Sequence, residues 1–145
     1  MPSLILTAEF SLFADDTVLG PRFTLSGYEF VDEGGYASFV NESGTEKGLQ
    51  FDKAGVRVTL PAETNLVAVR AAAFASPLRV AAMDKDGNVL YPVMIPGGNT
   101  AHDVQLTHPG IALIEFAGGG NEGMIISISV TYPVSLSASS ERAAT

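Results

Sequence analysis

The sequence predicts an all-β domain in which two antiparallel sheets pack face to face. Short runs of alternating apolar and polar residues dominate the chain, and Gly, Pro and Asn separate them. Helical periodicity is nearly absent, and no helical segment of crossover length lies between the runs, although parallel strands need such connections. These two observations favour an antiparallel β-sandwich over an α/β fold.

The strand pattern recurs along most of the chain. The twelve segments that carry it are Leu4–Phe10, Arg22–Leu25, Tyr28–Val31, Ala37–Val40, Leu49–Phe51, Val56–Leu60, Leu66–Phe74, Leu78–Met83, Val89–Ile95, Ala101–Leu106, Ile111–Phe116 and Met124–Tyr132. The alternation is clearest in Val56–Leu60 and Met124–Tyr132, each of which has one apolar and one polar face. Leu66–Phe74 is rich in alanine, which also suits a short helix, but its valines and the break at Ser76-Pro77 favour a strand.

Composition limits both the architecture and the partners. The 145 residues are 46% hydrophobic and 17% charged, which predicts one domain that folds without a disulfide or structural zinc. Cysteine is absent, which excludes thiol chemistry. The net charge of −8 makes nucleic acid and membrane surfaces poor partners and leaves neutral ligands, cations and proteins. We assign the sandwich to residues 1–133 and a Ser/Ala-rich tail to residues 134–145.

The N-terminus gives no sign of export. It has no basic start and its apolar run stops at Glu9, so we expect no signal peptide in this chain. Gly, Pro or a charge interrupts every apolar run before the roughly 18 residues of a membrane span. The sequence is compatible with a cytoplasmic protein and with the mature fragment of a secreted one.

Two polar groupings admit a structural and a chemical interpretation. Asp84–Asn88 has oxygen ligands at alternate positions, as in a calcium loop, but it lacks EF-hand spacing and is better explained as the tight turn of a hairpin. His102 and His108 lie near Asp103 and would suit metal or nucleophilic chemistry, but no catalytic motif accompanies them. Because Pro109-Gly110 predicts a turn at this point, we expect exposed loop histidines.

The most unusual stretch is Gly118–Gly123. It lacks the Lys and the helix of a phosphate-binding loop, so it is either a flexible hairpin connection or a place where the backbone approaches a ligand. In the second case the side chains of Asn121 and Glu122 would bind sugar hydroxyls or calcium. Tyr28 and Tyr36 flank a polar loop and would present their rings to the apolar face of a sugar.

A succession of motifs in strand order carries a family resemblance. These motifs are Glu9-Phe10, Gly27–Phe30, Gly48–Phe51, Gly55–Pro61, Leu78–Val89 and Gly110–Phe116. Over roughly residues 4–132 they resemble the jelly-roll β-sandwiches of the galactose-binding-domain-like group, which includes many carbohydrate-binding modules. Ala8–Ser11 also looks like the opening of family 6 modules, where carboxylates near the first and last strands hold a structural calcium. The resemblance makes Glu9 and Glu122 candidate calcium ligands.

The chain departs from that group in two respects. It has no Trp, and Ser127 and Ser129 stand in the final strand where an acidic residue is usual.

Together these features favour a non-catalytic, lectin-like module that binds a neutral saccharide. The expected ligand-binding residues are Tyr28, Tyr36, Asn121 and Glu122, with calcium as a candidate cofactor. The alternative is a structural or assembly module that forms homo-oligomers or docks to a protein partner, which the low charge and many small residues favour. We do not expect an enzyme, because no acid/base pair or nucleophile stands out.

Overall fold

Antiparallel strands account for most of the chain that the structure describes. The computed structural model describes residues 3–35, 38–43, 46–52, 54–74, 76–98, 100–121 and 123–133. The strands are β1 (Ser3–Glu9), β2 (Arg22–Leu25), β3 (Tyr28–Asp32), β4 (Phe39–Ser43), β5 (Glu46–Phe51), β6 (Val56–Ala73), β7 (Leu78–Met83), β8 (Val89–Ile95), β9 (Thr100–Gly118) and β10 (Gly123–Pro133). Within these ranges, no helix is long and apolar enough to cross a membrane.

The strands form two layers because β6 and β9 run through both. The front sheet contains β4, β5, β10, the C-terminal part of β6 and the N-terminal part of β9, with β1 also beside β10. The back sheet contains β2, β3, the remaining parts of β6 and β9, β7 and β8. β6 pairs with β9 through Val67 and Leu106 in front and through Val58 and Ile114 behind. This arrangement confirms the predicted antiparallel β-sandwich of the jelly-roll type.

The core lies between the sheets and follows the alternation in the sequence. The inward side chains of β6 are all buried, in the back part (Val56, Val58 and Leu60) and in the front part (Val67, Val69 and Ala71). Aromatic rings fill one end of the core. The rings of Phe23 and Phe30 stack with centroids 4.7 Å apart, and Phe10 meets Phe30 edge-on at 5.8 Å.

Two pairs of predicted strands are single strands in the structure. Val56–Leu60 and Leu66–Phe74 belong to β6, except that the strand ends at Ala73, and Ala101–Leu106 and Ile111–Phe116 belong to β9. The predicted turn at Pro109-Gly110 is wrong. Gly110 has a φ of 77°, but the pairing of β9 with β6 resumes beyond an irregular register, so the glycine lets the strand bend instead of ending it.

The hairpin turn predicted at Asp84–Asn88 is confirmed. It joins β7 to β8, and Gly87 has a φ of 85°, which glycine adopts without strain. Asp84 Oδ1 accepts hydrogen bonds from the backbone N–H groups of Asp86 and Asn88, each at 2.9 Å. These bonds and the Asn88 side chain lower the pKa of Asp84, with the Asn88 side chain as the largest cause. The carboxylate therefore organises the turn.

The described part of the glycine-rich stretch packs against protein. A 3-10 turn over Gly119–Asn121 connects β9 to β10, and the Gly119 N–H donates to the Pro77 carbonyl at 2.9 Å. A Cβ atom on Gly118 would lie 3.0 Å from that same carbonyl oxygen. Glycine is therefore needed here because the Pro77 backbone approaches closely.

Candidate functional site

Tyr28 does not offer its ring to a ligand, contrary to the sequence-based prediction. It is fully buried in the core, and its hydroxyl donates to the backbone carbonyl of Leu6. Burial raises the pKa of the Tyr28 hydroxyl well above its usual value. Tyr28 shares the inward face of β3 with Phe30, so its role is to join β3 to β1 through the core.

Only some of the other predicted site residues are among the residues that the structure describes. Tyr36 and Glu122 lie outside the described residues, and Asn121 is described only through its backbone in the 3-10 turn. Glu9 is exposed at the end of β1. The described residues contain no group of three or more His, Asp or Glu side chains arranged to hold a metal ion. Calcium binding through Glu9 and Glu122 stays a prediction.

The two histidines do not form a site with Asp103. His102 and Asp103 are neighbours on β9 and point to opposite faces of the strand, as alternation requires. The ring nitrogen Nδ1 of His108 donates to the Pro109 carbonyl at 2.8 Å. Both histidines are half-buried strand residues.

A row of depressions crosses the outer surface of the front sheet. One, of about 430 Å³, and a second, of about 310 Å³, share Arg70 and Ser127 in their lining. A third, of about 300 Å³, lies further along β10 beside Thr131 and Leu66. We call this row the front groove. From Ser127 to Thr131 it follows β10 for about 13 Å, at the usual rise of an extended strand.

The groove exists because small side chains alternate outward on the two central strands. On β10 the outward residues are Ser127 and Ser129, while Ile128 between them is buried. On β6 the outward Ala68 is exposed between buried Val67 and Val69. Longer side chains on the flanking strands rise above this floor of small residues, so the surface is a trough.

Charged groups cross the groove at one position of the register. Glu9 on β1 pairs with Ser127, Ser127 pairs with Arg70, and Arg70 pairs with Asp103 on β9. Arg70 donates from Nε and Nη2 to Glu46 on β5 at 3.2 and 2.9 Å, and from Nη1 to Asp103 at 2.6 Å. The hydrogen bond to Arg70 is the main reason why the pKa of Glu46 is lowered, and it likewise raises the pKa of Arg70.

The two rows beyond this charged row carry hydroxyl and aliphatic groups. In the next outward row, the hydroxyls of Thr7 and Ser129 lie 3.1 Å apart and form a hydrogen bond. In the third row, Ile5 pairs with Thr131 and is 62% exposed, and Leu66 in the lining of the same end is 40% exposed. This end of the groove thus combines exposed aliphatic surface with the polar side chains of Glu63 and Asn65.

A second charged cluster lies on the outer surface of the back sheet. Arg57 Nη2 is 3.2 Å from Glu115 and 3.6 Å from Glu33, and Arg79 Nη1 is 3.5 Å from Glu115. Burial, and then the hydrogen bond with Glu115, raises the pKa of Glu33 to about 7. The same hydrogen bond lowers the pKa of Glu115. A hydrogen bond between two carboxyl groups needs a proton on one of them, and the raised pKa assigns this proton to Glu33.

Comparison with solved structures identifies the type of sandwich. A family 29 carbohydrate-binding module solved with mannohexaose superposes with a TM-score of 0.54 at 8% identity, over 90% of this chain and 93% of the module. A variant of a module from the same family superposes with a TM-score of 0.52 at 10% identity, over 92% of both chains. A family 6 module from a Cellvibrio mixtus lichenase, solved with cellotriose, aligns with a TM-score of only 0.38 at 13% identity, over 91% of this chain and 100% of the module.

The fold is that of a carbohydrate-binding-module-type β-sandwich. No protein-family model matches the sequence, and the search of curated proteins found no match.

Proposed function

We propose that this protein is a non-catalytic carbohydrate-binding module that holds a neutral saccharide in the front groove. The single observation that carries the proposal is the groove itself, in which fixed polar side chains line a trough across a sheet of carbohydrate-binding-module type. The modules that share this fold include one solved with mannohexaose, which makes a hydroxyl-rich chain the natural first ligand to test.

The groove residues match what a saccharide requires. Arg70 uses three of its five N–H groups on Glu46 and Asp103, so two remain to donate to sugar oxygens. Asp103 is 75% exposed and uses only Oδ2 in its bond to Arg70, so Oδ1 can accept from a sugar hydroxyl. At the other end Ile5 and Leu66 offer aliphatic surface to the C–H face of a ring.

The test is to fill the trough from its floor. Ala68→Phe should weaken binding of a neutral hexasaccharide, such as mannohexaose or cellohexaose, by more than about tenfold, because the ring would occupy the ligand volume. The matched control is Thr59→Phe, which places the same ring on the same strand, exposed on the back sheet. Isothermal titration calorimetry with both variants measures the difference, and thermal melting checks that both fold.

Equal binding by Ala68→Phe and the wild-type protein would contradict the assignment of the groove. Loss of binding in both phenylalanine variants would indicate a general effect on the fold. No binding of neutral hexasaccharides by the wild-type protein would contradict the function itself.

The proposal excludes catalysis by the carboxyl pair of the back sheet. Glu33 and Glu115 are bonded to each other and to Arg57, and they lie on the opposite surface from the groove. A glycosidase needs two carboxyl groups held apart on either side of a bond. This pair lacks that separation.

The assembly alternative is favoured by one separate observation. Within the described residues, β1 pairs with β10 alone, so its other edge is unpaired, and Leu4 and Ile5 on it are 48% and 62% exposed. An unpaired strand edge can add a strand from a second chain. This function predicts an oligomer in solution and no loss of assembly in Ala68→Phe.

A further inference from the structure

We propose that Arg70, together with the two carboxylates that hold it, is a charge filter that admits neutral saccharides to the front groove and rejects uronic acids. This inference rests on the proposed function and adds the specificity-determining residue. Arg70 lies in the lining of both larger depressions, so a ligand that crosses from one to the other passes over its guanidinium. An unpaired arginine in that place would instead be a binding site for carboxylates.

The filter works because the positive charge of Arg70 is already matched by two negative charges. Glu46 takes Nε and Nη2 in the bidentate geometry that suits a carboxylate, and Asp103 takes Nη1. A uronate arriving at Arg70 would therefore compete with a carboxylate of the protein for the same donors. A neutral hydroxyl can use the two donors that remain and carries no charge to be repelled.

The remaining charges of the groove act in the same direction. The 430 Å³ depression of the groove is also lined by Glu9 and Glu42, for which the described residues provide no salt bridge. Lys47 lines it as well, but its ammonium group donates to the Phe13 carbonyl at 2.8 Å. Carboxylates thus outnumber cations around the groove, and the whole chain carries a net charge of −8.

The experiment converts the filter into a uronate site. The double variant Glu46→Gln/Asp103→Asn keeps an oxygen acceptor at both places but removes both charges that match Arg70. Binding of mannohexaose, cellohexaose and the corresponding mannuronate and glucuronate hexamers is measured by calorimetry at low salt. We expect the wild-type protein to bind a neutral hexamer and not its uronate, and the double variant to gain uronate affinity by about tenfold or more.

Two further variants separate Arg70 from a general change in charge. Adding Arg70→Gln to the double variant should remove the gained uronate binding, because the guanidinium is then absent. Glu29→Gln/Asp86→Asn removes the same net charge at exposed positions away from the groove, and one of these also frees an arginine, since Glu29 pairs with Arg22 at 2.8 Å. This control should gain no uronate binding.

The outcomes distinguish the two levels of the proposal. The filter is overturned, with the groove left intact, if Glu46→Gln/Asp103→Asn binds a neutral hexamer but gains no uronate affinity. Equal binding of a neutral hexamer and its uronate by the wild-type protein has the same consequence. A gain that persists without Arg70 also overturns it. Absence of any neutral binding by the wild-type protein overturns the proposed function and the filter together.

Discussion

Glu33 and Glu115 give the back surface a pH-sensitive contact between the loop after β3 and the sheet. The pKa of Glu33 is raised from 4.5 to about 7, first by burial and then by the bond with Glu115. Because the pKa of Glu33 is raised on folding, this carboxyl group contributes its full stabilisation below pH 4.5. The contribution is lost as the pH rises through about 7. Glu115 has the opposite sign, because its lowered pKa favours folding above its unfolded value. The pair therefore stabilises the folded protein most between pH 4.5 and about pH 7.

We expect the free energy of unfolding to fall by about 1 kcal/mol between pH 5.5 and pH 8 through this pair, since the two arginines offset part of the repulsion. Glu33→Gln should flatten the profile, because an amide donates to Glu115 at every pH. Urea unfolding at both pH values measures the difference, and Glu29→Gln is the control at an exposed carboxyl group. An unchanged slope in Glu33→Gln would contradict a shared proton.

At the same scale, two residues show which parts of the site the sequence could predict. The alternation in β3 places Tyr28 on the same face as Phe30, so the period-2 rule predicts that Tyr28 is buried. The polar loop that follows β3 instead favoured the prediction of an exposed ring. Arg70 carried no such signal. Its partners Glu46 and Asp103 are 24 and 33 residues away, and only the register of four strands brings them together.

At the scale of elements, the sequence predicted strand content well and strand continuity poorly. Leu66–Phe74 is a strand as predicted, because its valines face the core and its alanines fit the sheet. The continuity of β6 and β9 was missed because Pro61 and Pro109-Gly110 are normally turn residues. Here they lie where β6 and β9 pass from one sheet to the other, and an irregular register accommodates them without ending the strands.

The entry into β6 depends on one glycine. Gly55 has a φ of 97°, and a Cβ atom there would lie 2.1 Å from the Phe116 carbonyl oxygen on β9. We expect Gly55→Ala to lower the free energy of unfolding by about 3 kcal/mol or more, since backbone strain and a clash add. Gly35→Ala is the matched control, because Gly35 has a φ of 74° with no described neighbour within 4 Å. It should cost about 1 kcal/mol from strain alone.

Chemical denaturation of both variants separates the two contributions. Equal losses in Gly55→Ala and Gly35→Ala would contradict the close approach of β9 to this turn. A larger loss in Gly55→Ala with intact saccharide binding would show that the back-sheet contact stabilises the sandwich without shaping the groove.

At the scale of the whole molecule, the fold gathers groove residues that are distant in sequence. Glu9, Glu46, Arg70, Asp103 and Ser127 come from five different strands and meet because β10 lies between β1 or β5 on one side and β6 on the other. The sequence predicted the class of fold through its alternation, but it could not order the strands, because no short-range signal specifies which strands pair. Of the predicted site residues, Glu9 lines the groove and Tyr28 is buried in the core, while the other groove residues carried no local signal in the sequence.

The C-terminal residues separate the two candidate functions of the whole molecule. Deleting residues 135–145 should leave the affinity for a neutral hexasaccharide within about twofold, because the described lining of the groove is made by residues between Glu9 and Tyr132. The solution mass by light scattering should fall only by the deleted residues. An assembly module predicts instead that the full chain is an oligomer and that the deletion lowers its state. The result that favours assembly through the tail is an oligomer that dissociates on deletion, together with no saccharide binding by the full chain. The physical reason is that a segment of this composition gains order only by packing against something.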